Sequence, residues 1–195
     1  MLKQTSQTPY RLTLSALFLA LIIVGAFIRI PFPVIPITLQ TLIVLLAAML
    51  LGPRLSSMTV GTYLLMGLVG LPVFTAGGGI FYVFRPTFGY LIGFLLAALA
   101  VGYLASNPKM KTFSMLCVSG IVGIVIIYAS GISYMFLLSR FYSNGSPSIF
   151  TLFTLNFALT IVGDLVKCMV AALLTVRLRI ILGRSTYFSS LVPSE

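Results

Sequence analysis

The chain has 195 residues, 59% of them hydrophobic and only 7% charged, against about 25% charged in a soluble domain, so too few charges exist to cover an aqueous surface. Twelve Lys and Arg stand against two acidic residues, Asp164 and Glu195, and histidine is absent. That excludes His-ligated zinc or haem, a Ser-His-Asp triad and paired carboxylates for metal binding or acid–base work. A bilayer core suits such a chain, because it demands apolar side chains and backbone groups satisfied internally. At about 20 residues per spanning helix, the length predicts a single membrane domain over residues 1–195. The expected fold is an all-α bundle of six transmembrane helices.

The first predicted helix covers residues 11–28. It follows Lys3 and Arg11 like a signal peptide, but has no small-residue cleavage site and is read as uncleaved. The segment Ile30-Pro31-Phe32-Pro33-Val34-Ile35-Pro36 breaks it, since each proline removes a donor and forces the residue before it to extend. A short second helix, 38–51, stops at Gly52-Pro53-Arg54, and a third covers 56–70. The connection from Pro72 to Pro86 carries Gly77-Gly78-Gly79 among aromatics. Helices over 87–106, 112–138 and 150–182 complete the set, separated by Asn107-Pro108-Lys109 and by Ser143-Asn144-Gly145-Ser146-Pro147. Cys117 and Cys168 lie in apolar runs and read as small buried hydrophobes.

The basic residues fix a direction. With the N-terminus inside, Lys3, Arg11, Arg54, Lys109, Lys111, Arg177, Arg179 and Arg184 fall on inner segments, and only Arg29, Arg85 and Arg140 on outer ones. Eight against three follows the positive-inside rule, so both termini are expected in the cytoplasm. Charges spent on orientation give no reason to expect nucleic acid as a partner.

Asp164 and Lys167 lie inside the last helix, where each charge costs roughly 2.5–3.5 kcal/mol on insertion scales. Residues at i and i+3 share a helix face. Asn156, Thr160, Asp164, Lys167 and Ala171 form one stripe, polar and then small. An Asp that accepts hydrogen bonds beside a Lys that donates them suits an amide-like group or a carboxylate; the bland alternative is an ion pair that only fixes packing. The glycine run either lets backbone approach a ligand or is a plain loop. Phe74, Phe81, Tyr82, Phe84 and Tyr90 around it either cap an apolar pocket or anchor the chain at the membrane interface. Arg85 either attracts an anionic ligand or is an interfacial charge. Ala16 and Ala20 form a small-xxx-small pair that permits close helix approach. No G-x-x-x-x-G-K-[ST] run is present, so ATP energy would come from another subunit.

Four stretches, in order, resemble the BioY family of biotin-specific substrate-binding (S) components of energy-coupling-factor (ECF) transporters. They are Ile30-Pro31-Phe32-Pro33-Val34-Ile35-Pro36-Ile37-Thr38-Leu39-Gln40-Thr41, Leu50-Leu51-Gly52-Pro53-Arg54, Gly70-Leu71-Pro72-Val73-Phe74 through Pro86-Thr87-Phe88-Gly89-Tyr90-Leu91-Ile92-Gly93-Phe94, and Gly163-Asp164-Leu165-Val166-Lys167. The resemblance covers roughly residues 11 to 183. It implies an S-component bundle in a bacterial cytoplasmic membrane that captures biotin from outside, with no catalysis and no cofactor. It implies that Asp164 and Lys167 belong to the ligand site, with Gln40 and Tyr90 as further polar members. Gly78, Gly79, Phe74, Arg85 and Asn156 are the remaining expected ligand-side residues. Ala16 and Ala20 are expected to contact a transmembrane coupling (T) subunit, with ATPase subunits supplying energy. Two departures stand out: the glycine run is short and leads into Ile80-Phe81-Tyr82, and Arg85 stands where the family typically has Gly before Pro-Thr. An autonomous transporter, with Asp164 as the carrier if it is coupled to protons, is the alternative reading. An enzyme is not expected, for want of a nucleophile–base pair.

Overall fold

The computed structural model describes residues 7–30, 36–109, 112–142 and 149–183. Five helices dominate: α1 (Gln7–Phe27), α2 (Gln40–Leu68), α3 (Phe88–Ala105), α4 (Phe113–Tyr142) and α5 (Ile149–Gly183). Among the described residues, α1 to α4 are long and apolar enough to cross a membrane. The helices expected over 38–51 and 56–70 both form, as two helical segments of α2 that meet without a loop at a non-helical Gly52 (φ 75°, ψ 178°). Only glycine adopts that backbone without strain. Pro53 then opens the second segment, where its missing N–H costs nothing.

The turn is packed, not loose. The Ser56 hydroxyl shares its one proton between the Gly52 carbonyl at 2.6 Å and the Ala98 carbonyl of α3 at 3.1 Å. Gly102 of α3 lies so close that a Cβ there would stand 2.6 Å from Pro53 and 2.8 Å from Gly52. Here Arg179 reaches from α5: its Nη2 donates to the carbonyls of Met49 (2.6 Å) and Ala105 (3.0 Å). Both carbonyls lie in the final turns of helical segments, where the helix supplies no donor of its own.

At the opposite end, a two-stranded antiparallel ladder joins β1 (Arg29–Ile30) to β2 (Ile37–Thr38), Arg29 opposite Thr38 and Ile30 opposite Ile37. The proline-rich connection thus leaves α1 and returns to α2 through paired backbone, which the prolines alone do not suggest. Beyond α2 the chain folds back in a bridge between Phe74 and Gly77 and a 3₁₀ helix, Ile80–Phe84. Arg29 and Arg85 share this end with the loop; Arg54, Arg179 and Lys109 share the other.

α2 packs against α3, α3 against α4, α1 against α2, and α5 against both α2 and α4. Two apolar clusters result. One, around Leu45, Met49, Val101, Leu116, Cys168 and Ala171, fills the half near the Gly52 turn. The other, around Val60, Tyr63, Phe74, Leu91 and Phe94, underlies the loop. Tyr90 and Ile43 touch both.

Candidate functional site

Asp164 is buried on α5 with both carboxylate oxygens engaged. Oδ1 accepts from the Lys167 ammonium at 2.8 Å, one turn further along the helix. Oδ2 accepts from the Tyr128 hydroxyl of α4 at 2.8 Å. Thr160, one turn before Asp164, hydrogen-bonds Tyr128 in turn. Only 12% of the Lys167 side chain and 10% of that of Asp164 is exposed, so two opposite charges face each other out of water, each offsetting the cost of burying the other. The edge of the Tyr128 ring meets Tyr90 of α3, centroids 6.0 Å apart and planes at 84°. Tyr90 is also within electrostatic reach of Asp164. Three helices therefore converge on one carboxylate. Each of its oxygens has a second lone pair, and Lys167 has further N–H donors, so the pair can still both accept and donate.

Gln40 opens α2 at the loop end and is buried. Its Nε2 donates to the Tyr63 hydroxyl at 2.7 Å, and that hydroxyl donates to the Val73 carbonyl at 3.2 Å. Thr38 donates to the Gln40 Oε1 at 3.4 Å. A run of aromatics continues from there: Phe74 sits edge-on to Tyr63 at 5.3 Å and against Tyr82 at 4.6 Å. The Tyr82 hydroxyl meets the hydroxyls of Thr75 (3.0 Å) and Thr87 (3.2 Å). The Arg85 guanidinium lies 5.6 Å from the centre of the Tyr82 ring, and Arg29 donates to the Thr75 carbonyl. The loop is thereby tied to β1, to α2 and to the start of α3.

The glycines make that tie possible. A Cβ on Gly78 would stand 2.1 Å from the Leu71 carbonyl oxygen, and Gly79, at φ 108°, donates its N–H to the Gly67 carbonyl at 2.7 Å. Gly67 itself faces the Phe74 ring, which a Cβ would meet at 2.0 Å. Phe74 is fully buried by this contact.

The expected site residues thus fall into groups. Asp164, Lys167 and Tyr90 come together around Tyr128, while Gln40, Phe74, Gly78, Gly79 and Arg85 belong to the loop-end network. Arg85 is exposed. The backbone of Asn156 belongs to α5, but its side chain lies outside the described residues. Ala16 and Ala20 are exposed, one turn apart on α1. The sequence reading passed over Tyr63 and Tyr128. Both are tyrosines within apolar helices, and a buried Tyr hydroxyl needs a partner; that was the available signal.

Known proteins resemble this chain over most of its length. A protein from Lysinibacillus sphaericus named "Probable biotin transporter BioY" is 46% identical over 178 residues, 91% of this chain and 90% of that relative. The "Biotin transporter BioY" of Thermotoga maritima is 41% identical over 166 residues, 85% of this chain and 93% of its own. A crystal structure of the S-component for biotin from an ECF-type ABC transporter superposes with a TM-score of 0.79 at 30% identity, covering 96% of this chain and 98% of that one. The BioY family profile matches residues 2–184, and the chain belongs to the BioY family.

Proposed function

We propose that this protein is a biotin transporter, the substrate-binding component of an ECF-type system, and that Asp164 and Lys167 with Tyr128 form the polar heart of its biotin site. The observation that carries the reading is the intramembrane carboxylate held between an ammonium and a tyrosine from another helix, in a chain whose relatives are named biotin transporters. Biotin offers two ureido N–H donors, a carbonyl and a carboxylate tail around an apolar ring. Asp164 accepts from the ureido N–H groups through its remaining lone pairs, and Lys167 donates to an acceptor oxygen of the ligand. Tyr90, Phe74 and Tyr82 contribute apolar cover, and Gln40 completes the polar lining from α2.

In the full reading the chain crosses a bacterial cytoplasmic membrane six times, the two segments of α2 counting as separate spans, with both termini in the cytoplasm. Biotin enters at the loop end, next to Arg29 and Arg85. The exposed Ala16 and Ala20 meet a T subunit, and ATPase subunits drive release inward. Titration calorimetry of the purified protein with biotin tests the site: Asp164→Asn and Lys167→Met lose binding while the melting transition is retained. Undiminished affinity in both would remove the assignment. Uptake by cells expressing this chain with and without T and ATPase subunits tests the partnership, and full uptake without them would overturn it.

A further inference from the structure

The loop between α2 and α3 carries an apolar surface that the biotin reading does not use. Phe81 is 80% exposed, Ile80 62% and Val69 84%, while Tyr82, in the same 3₁₀ helix, is buried. The segment is thus two-sided, with one side on the bundle. Its exposed side carries the large apolar residues that a water-facing loop avoids.

Its depth shows what covers that side. The 3₁₀ helix does not project beyond the bundle but turns back along it. Gly79, just before it, bonds the carbonyl of Gly67, in the last turn of α2. The Val83 carbonyl accepts from the Tyr134 hydroxyl of α4. Tyr134 stands eight residues before the end of α4 at Tyr142, about 12 Å of helix rise. The apolar span of α4 itself continues to Leu138. The 3₁₀ helix is therefore level with helix surface that faces lipid, and its apolar side continues that surface, together with Phe27 and Ile28 at the end of α1, both exposed. Arg29 and Arg85 flank the segment. No Asp or Glu occurs anywhere between residue 1 and Asp164, so the charge at this edge is of one sign and complements lipid phosphate. Aromatic rings and snorkelling arginines are the side chains that settle at the headgroup boundary.

We infer that the Ile80–Phe84 helix is a membrane-interface plate: Ile80 and Phe81 insert into the lipid leaflet at this end of the bundle, while Tyr82 on the reverse side fastens the loop through Phe74, Thr75 and Thr87. The bilayer is then part of what positions the loop. This holds whatever ligand the site takes, and whichever side of the membrane this end faces.

The chain contains no tryptophan, so Phe81→Trp gives a single fluorescent reporter at the proposed contact, and Ile80→Trp gives a second if the first does not fold. The full chain is placed one copy per phosphatidylcholine nanodisc, with and without lipids brominated along the acyl chains. The expected result is blue-shifted emission, strong quenching by brominated lipid and weak quenching by aqueous iodide. Red-shifted emission quenched by iodide would place the helix in water and overturn the inference. Blue-shifted emission unaffected by brominated lipid would mean that protein covers the residue, and would overturn it as well.

Discussion

Replacing Arg179 by Met keeps most of the apolar stem and removes the guanidinium that joins three helices at the end away from the loop. Its Nη2 lies 2.6 Å from the Met49 carbonyl and 3.0 Å from that of Ala105. The chain leaves helical geometry at Gly52 and continues with Pro53, so the Met49 carbonyl has no regular helical donor. The Ala105 carbonyl sits at the last residue of α3. A hydrogen bond to a charged group contributes about 1.5–3 kcal/mol, which puts two such bonds at about 3–6 kcal/mol as an upper bound. Arg179 is only partly buried, and water at the bundle end can rehydrate part of what is lost. The expected cost is therefore about 2–3 kcal/mol, at or below the lower limit of that range. Reversible unfolding in mixed micelles measures it, with Arg179→Lys expected to fall between Met and wild type because an ammonium restores charge without the planar fork. Biotin affinity of the folded Met variant should stay at wild type, since Arg179 is fifteen residues, about 22 Å of helix rise, from Asp164. A Met variant as stable as wild type would refute the argument that these carbonyls depend on Arg179.

The other expectations concern the site and its cover. Asp164→Asn removes the charge that Lys167 and Tyr128 both address, and biotin affinity measured by calorimetry should fall at least about 100-fold, the equivalent of roughly 2.7 kcal/mol. Tyr128→Phe deletes one hydrogen bond to Asp164 and keeps the ring against Tyr90; a loss of about 5- to 15-fold in affinity is expected, from about 1–1.5 kcal/mol, and a variant that binds like wild type would remove Tyr128 from the site. Gly67→Ala places a methyl inside the Phe74 ring, so a thermal-melting series should show about 1–3 kcal/mol of destabilisation. Phe74→Leu in the same background should recover part of it by making room.

Much of the fold could be read from composition and punctuation, because a bilayer imposes simple rules on chains this apolar. The pair Asp164 and Lys167 stood out for the same reason: charges in so apolar a segment are costly enough to draw notice. What escaped was mostly geometry. Gly52-Pro53 reads as a helix stop and is one, but the sequence does not show that Gly102 and Ser56 pack the turn so closely that the next helical segment starts at once. The pairing of Arg29–Ile30 with Ile37–Thr38 depends on where the connection returns, which prolines do not encode. Tyr128 was invisible as a partner of Asp164 because 36 residues separate them, and only the packing of α4 on α5 brings them together. The motif order named the family, but those motifs contain neither Tyr63 nor Tyr128.

Arg179 at one end and Arg29 at the other both end on main-chain oxygens, of Met49 and Ala105 in one case and of Thr75 in the other. A carbonyl takes up no proton across the range in which carboxylates do, and every residue has one. Both fastenings should therefore survive acidification that would dissolve ordinary ion pairs. They should also survive side-chain replacement at positions 49, 75 and 105, provided the backbone path is kept. Among the described residues Asp164 is the sole acid, so neither of the two joints that hold the bundle together depends on a carboxylate.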